Sequence, residues 1–308
     1  MPGYSYDRIL ADFRHVGYFV KNVLRIGDDD DFYGYSCETV IKSVASAEKQ
    51  LKEIVGYDTL SSVDNRLPKY ASDESRKRLR NEIFADLITR PRIDNDDDIS
   101  MGNGGILPQT PLQKGKEAFI VIGLPASGKS GIASALSDKF GAMILDPDYA
   151  KRKIPEFECL FGATLVHEES SLIIFGDQNS REQNVLLHAV QNGYNIVIPK
   201  IGSDSGRIQQ FANDLQKIGY TVHLVLVRLD RAKAVARACK RFLDTGRYVP
   251  LSLIFDVYGN NPTITYYDLK RARRNFKSFT MISSDVEVGR PKMILDASGK
   301  SPITKDLL

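Results

Sequence analysis

Residues 118–130 read AFIVIGLPASGKS. Gly123, Gly128, Lys129 and Ser130 satisfy the spacing G-x-x-x-x-G-K-[ST], and the chemistry explains the spacing. Glycines let the backbone of Gly123, Leu124, Pro125, Ala126, Ser127 and Gly128 turn so that the N–H groups it carries, at every position but Pro125, point inward around an anion. Lys129 adds a mobile positive charge for β- and γ-phosphates. Ser130 offers a hydroxyl to Mg²⁺, and a helix starting there directs its positive end at the same anion. A bare match can be an ordinary Gly-rich turn. Here it follows an apolar strand pattern and precedes a helix pattern with Ile132, Ala133, Leu136 and Phe140 on one side. The expectation is a phosphate loop for ATP or GTP with Mg²⁺.

A second polar feature follows the next apolar run. Ala142–Leu145 leads straight into Asp146-Pro147-Asp148. The end of a strand beside the phosphate-loop strand is where an open α/β sheet places its ligand crevice. A carboxylate there can take the proton of a hydroxyl attacking a γ-phosphoryl group, or hold Mg²⁺ through water. Two carboxylates two residues apart can divide these roles, with Asp146 on the metal side. Alternatively, either aspartate caps the following helix. His167-Glu168-Glu169-Ser170 is a further polar cluster, either facing an acceptor pocket or lying on the surface. Gly259 to Pro262 with Tyr266-Tyr267 reads as a turn with aromatic cover.

The surrounding pattern says what positions these groups. From Glu117 short apolar runs (118–122, 142–145, 195–199, 222–227, 292–295) alternate with amphipathic stretches at about 129–139, 181–191, 207–218 and 231–244. That alternation predicts a parallel sheet covered by helices, an α/β fold of the P-loop type over residues 117–308. Residues 1–90 predict a small all-α region with three amphipathic helices. Their stripes are Ile9, Phe13, Val16, Val20 and Val23; Val40, Val44, Ala47, Leu51 and Ile54; and Leu79, Ile83, Phe84, Leu87 and Ile88. Ser36 and Ser72 are the candidate caps of the second and third, and together the three suffice for a small bundle. Residues 91–116, rich in Pro, Gly and Asp, predict a linker. The runs Asp28–Asp31 and Asp96–Asp98 lack calcium-loop spacing and read as solvated charge.

Four segments, GLPASGKS, MILDPDYAKRKIPEF, GYNIVIP and CKRFLDTGRYVP, together resemble the zeta toxin family over about residues 117–295. Zeta toxins are bacterial P-loop kinases, many partnered with a helical antitoxin, and the best understood phosphorylate the sugar 3′-hydroxyl of UDP-N-acetylglucosamine. The resemblance implies that Lys129 is the phosphate-loop lysine, Ser130 the Mg²⁺ ligand and Asp148 the general base. It also implies that Arg241 and Arg247 reach the transferring phosphoryl group. Guanidinium donors suit charge spread over phosphoryl oxygens, and Gly246 would end the helix and leave Arg247 in the next loop. The bland reading of the two arginines is a solvated helix end. Where the family often carries a glutamate, this chain has Ile198-Pro199-Lys200-Ile201-Gly202.

Bulk composition excludes little but narrows the partners. The chain has 308 residues, 42 basic and 39 acidic, a net charge of +3 and three scattered cysteines. Such balance argues against a dedicated nucleic-acid or anionic-membrane partner, and no run of 18 apolar residues predicts a membrane span. The cysteine usage fits a reducing, cytoplasmic setting. Two function classes result. One is an enzyme phosphorylating a small metabolite, with UDP-N-acetylglucosamine implied by the resemblance and a dinucleotide such as NAD as runner-up. The other is a non-catalytic nucleotide-binding regulator. Partners implied are a small-molecule substrate and a helical antitoxin, or restraint of the kinase by its own N-terminal helices.

Overall fold

The computed structural model describes residues 9–54, 58–159, 161–177, 182–272, 275–287, 290 and 292–307. Its first elements are α1 (Phe13–Asn22), a two-strand hairpin of β1 (Asp31–Phe32) and β2 (Tyr35–Ser36), α2 (Cys37–Ile54) and α3 (Asp73–Thr89). Each long helix starts where a side chain can cap it. Asp12 accepts from the N–H of Arg14 at 2.8 Å, Ser36 from Thr39 at 3.3 Å and Ser72 from Ser75 at 3.2 Å.

Beyond these lie β3 (Glu117–Ile122), α4 (Lys129–Phe140), β4 (Met143–Ile144), α5 (Pro147–Lys151), α6 (Gly162–Leu165), α7 (His167–Phe175) and α8 (Val185–Asn192). Then come β5 (Ile196–Lys200), α9 (Ser205–Lys217), β6 (Thr221–Arg228), α10 (Arg231–Thr245), a π-helical turn (Leu253–Tyr258), α11 (Asn261–Ala272), β7 (Ser278–Ser283) and β8 (Met293–Gly299). The six strands from β3 on form one sheet in the order β4-β5-β3-β6-β7-β8, parallel except for β8, which runs antiparallel to β7. The chain leaves β3 toward β4 on one side, whereas β6 leads to β7 on the other. Strand order therefore reverses beside β3, which puts the ligand crevice at its carboxyl end.

Three expectations change. The strand ending at Asp146 is not beside the phosphate-loop strand, because β5 lies between them. β7 and α11 were not foreseen, and β8 runs four residues past Leu295. The stretch expected at 181–191 forms a helix from Val185; residue 181 is outside the described residues.

The three N-terminal helices do not share one bundle core. α1 and α2 bury Val16, Val20, Val40 and Val44 against Ala234, Val235 and Ala238 of α10 and against Leu124 of the phosphate loop, while Phe13 is exposed. α3 instead sends Leu79, Ile83, Phe84 and Leu87 into the core of the sheet. The reason is the polar residue on its inner face. Arg76 is fully buried and donates from Nη1 to Glu156 at 2.8 Å and from Nε to Glu169 at 2.8 Å. Both carboxylates are buried as well, and Glu169 also accepts from Thr59 Oγ1 at 2.6 Å. Burial works against the guanidinium charge, but the two carboxylates outweigh it and its pKa is raised. Glu169 therefore belongs to this buried cluster and not to an acceptor pocket.

Residues 91–116 are fastened along the same core. Ile99 and Ile106 are buried, Arg92 pairs with Asp138, and Lys153 Nζ donates to the carbonyls of Ser100 at 2.6 Å and Asn103 at 3.0 Å.

Removing one partner of a buried ion cluster leaves charge stranded in a low-dielectric interior. Arg76→Ala should therefore lower stability by roughly 3–5 kcal/mol, read from denaturant midpoints. An unchanged midpoint would mean that α3 is not locked to the sheet by this residue.

Candidate active site

The phosphate loop joins β3 to α4. Gly128 has φ +83°, a conformation that side-chain-bearing residues rarely adopt, and it precedes the first turn of α4. Gly123 is constrained by space, since a Cβ there would lie 2.6 Å from the carbonyl oxygen of Val227 and 2.8 Å from Ser127 Oγ. Lys129 folds back over the loop and donates to the carbonyls of Gly123 at 2.9 Å and Leu124 at 2.6 Å. Burial pushes its pKa down to about 8, against the pull of Asp146 and Asp148. Ser127 is buried and its Oγ has no hydrogen-bond partner among the described residues.

Asp146 and Asp148 sit at the end of β4. The Asp146 carboxylate accepts from the Asp148 N–H at 3.0 Å, so it caps α5 as well as facing the crevice. Burial, then the neighbouring Asp148 charge, raises its pKa to about 6. Asp148 is driven far the other way, chiefly by Lys151, whose Nζ lies 2.8 Å from Oδ1. One of two adjacent carboxyls is thus kept ionised at neutral pH while the other titrates just below it, an arrangement that separates their roles.

The distant arginines come to the same place. Gly246 (φ +72°) caps α10 and turns the chain, so that Arg241 on the helix and Arg247 after it both face Asp148 across two adjoining clefts of about 390 and 460 Å³. The larger cleft also takes in Ser130, Asp146 and Arg152. The structure therefore gathers Ser130, Asp146, Asp148, Arg241 and Arg247 at one crevice beside the loop that holds Lys129. His167, Glu168, Glu169 and Ser170 line neither cleft; burial lowers the pKa of His167.

Three further groups at this crevice are not marked by any motif. Arg152 lines it, and its Nη1 donates to the Asp148 carbonyl at 3.1 Å. Tyr248 lines the smaller cleft and donates to Glu48 of α2 at 2.6 Å. The run Asp96–Asp98 is only partly the solvated charge expected: Asp97 and Asp98 are exposed, but Asp96 lines the larger cleft and Asp97 pairs with Arg247. The only local signal was for Arg152, one turn after Asp148.

At the end of β5, Lys200 lies over the rings of Phe175 at 3.5 Å and Phe211 at 5.7 Å from their centroids. Burial lowers its pKa to about 8.

This architecture and phosphate loop define a P-loop phosphotransferase. The family model described as zeta toxin matches residues 106–274, and the chain belongs to that family. Among curated proteins nothing matches significantly. Of solved structures, one from the PezAT chromosomal toxin–antitoxin system of Streptococcus pneumoniae is 15% identical with a TM-score of 0.46, over 77% of this chain and 86% of that one. The AvrRxo1-ORF1:AvrRxo1-ORF2 complex with ATP is 17% identical with a TM-score of 0.47, over 77% of this chain and 70% of that one. A gluconokinase from Sinorhizobium meliloti 1021 is 14% identical with a TM-score of 0.31, over 56% of this chain and 86% of that one. These are distant likenesses.

Lys200 provides a test of the electrostatics. Its pKa lies below the ordinary 10.5, so the unfolded chain holds the proton more tightly than the folded one. The charge therefore costs the fold most below about pH 8, and the cost fades as pH rises toward 10.5. Lys200→Met should raise Tm at pH 7, with the gain shrinking at pH 9.5. A gain independent of pH would contradict the buried charge.

Proposed function

We propose that this protein transfers the γ-phosphoryl group of ATP to a hydroxyl of a small nucleotide-linked metabolite, as a kinase of the zeta toxin type. The observation that carries the reading is the convergence of Asp148, Arg241 and Arg247 on clefts beside Ser130 and the phosphate loop, from segments about 100 residues apart in sequence. A regulator needs only the loop. A hydroxyl acceptor additionally needs a base, and the transferring group needs donors for its spread charge.

In this reading Lys129 leaves its two carbonyls for the β- and γ-phosphates, and the N–H groups of the loop, from Gly123 to Gly128 except at Pro125, cradle the anion. Asp148 accepts the hydroxyl proton as the acceptor oxygen attacks phosphorus. Its low pKa keeps it ionised before the attack. Arg241 and Arg247 hold the equatorial oxygens of the group in flight. The residues also fit Mg²⁺. Ser130 and Asp146 offer oxygen donors on one cleft, and among the described residues no cluster of three or more His, Cys, Asp or Glu forms a metal cage. Mg²⁺ in kinases usually takes few protein ligands and completes its shell with phosphate oxygens and water. When bound, it would neutralise charge between β- and γ-phosphates.

UDP-N-acetylglucosamine is the acceptor we favour, with NAD as the alternative, and a helical antitoxin as a partner belongs to the same reading. Among the described residues no helix is long and apolar enough to cross a membrane.

Purified protein with Mg²⁺ and ATP should phosphorylate UDP-N-acetylglucosamine, assayed beside NAD by mass spectrometry. Phosphorylation of NAD alone would replace the acceptor but keep the chemistry. Lys129→Ala should weaken ATP binding and abolish transfer. Asp148→Asn should bind ATP normally and turn over roughly a hundredfold or more slowly, the scale of a lost general base. Near-normal turnover of Asp148→Asn would remove Asp148 from that role.

A further inference from the structure

Taking the site as read above, we infer that Asp97 is a positioning residue for Arg247. Its carboxylate is the fixed counter-ion that lets three guanidinium groups gather at the cleft before a phosphoryl group is there.

Arg152, Arg241 and Arg247 all line the larger cleft. Like charges gathered at one cleft repel one another. Arg241 shows the strain of the arrangement: burial, then Arg247, lowers its pKa. The Nε atoms of Arg152 and Arg241 are buried with no hydrogen-bond partner among the described residues. Of the carboxylates lining that cleft, Asp148 is engaged by Lys151 at 2.8 Å, Asp146 caps α5, and burial raises the pKa of Asp96, which disfavours its charge.

Asp97 fills the gap. Its Oδ1 accepts from Arg247 Nη1 and lies 3.5 Å from Arg152 Nη2, so one carboxylate oxygen stands between two of the three cations. The backbone under it is held. The N–H of Asp97 donates to Asn95 Oδ1 at 3.2 Å, Asn103 donates to the Asp98 carbonyl at 2.8 Å, and Ile99 next to the turn is buried. Arg247 follows the Gly246 cap of α10, and its guanidinium lies 5.9 Å from the centroid of the Phe157 ring. An anion on a pinned backbone beside it helps to set where the guanidinium rests. Arg247 also lines the smaller cleft with Asp148. Asp97 lies outside the segment matched by the family model, residues 106–274.

The test uses the full chain and needs no identified acceptor. Transfer of label from γ-³²P-ATP into the small molecules of a bacterial metabolite extract is measured, with extract fixed and ATP varied. Variants are Asp97→Asn, Asp97→Glu, Arg247→Ala and the Asn/Ala double variant. Asp97→Asn keeps the shape and loses the charge. It should turn over roughly tenfold more slowly or worse, the scale of coupling between contacting residues, with KM for ATP changed by less than about twofold. Asp97→Glu should recover much of the loss, and the double variant should be no slower than Arg247→Ala alone. An unchanged or faster rate in Asp97→Asn, or additive losses in the double variant, would overturn the inference. If wild-type protein transfers no label, the reading of the site fails and this one with it. If wild type is active and Arg247→Ala is not, while Asp97→Asn behaves as wild type, only this one fails.

Discussion

Cations that are to meet a phosphoryl group must be held together while no phosphoryl group is present. Much of this structure answers that constraint. Lys129 rests on two loop carbonyls, Lys151 on Asp148, and Arg247 and Arg152 on Asp97. Bringing these partners to the carboxyl end of the sheet takes segments from the whole chain.

That requirement gives the N-terminal helices a physical role. α3 is locked to the sheet by Arg76, and the segment after it carries Asp97 to the cleft. α2 and the hairpin brace the arginine-bearing segment from the other side. Glu48 accepts from Tyr248, and Tyr35 Oη donates to the carbonyl of Leu243 at 3.2 Å. The apolar faces of α1 and α2 cover α10 itself. Residues before 106 thus help to shape the site, although only the later segment carries its motifs.

What could be read from the sequence was what is local. The phosphate loop was legible because its spacing, strand and helix all lie within about twenty residues. Asp146 and Asp148 were legible as a strand end, but not the insertion of β5, because strand order is set by tertiary packing. β7, with the sequence SFTMIS, is wholly buried, yet its serines and threonine blur both the apolar run and the alternation that mark a strand. Arg76 reads as one more charge on a highly charged helix, and only its two buried partners reveal its direction. Asp97 and Arg247 are separated by 150 positions, so no local pattern can join them.

The reaction proposed for this crevice is direct transfer of the terminal phosphoryl group of ATP to an acceptor hydroxyl. Stereochemistry at phosphorus tests this most directly, using ATP made chiral at its γ-phosphoryl group and the purified protein with its acceptor. A single in-line transfer predicts inversion of configuration. Retention would mean that the phosphoryl group passes through an enzyme side chain, and it would contradict the assignment of Asp148 as a base.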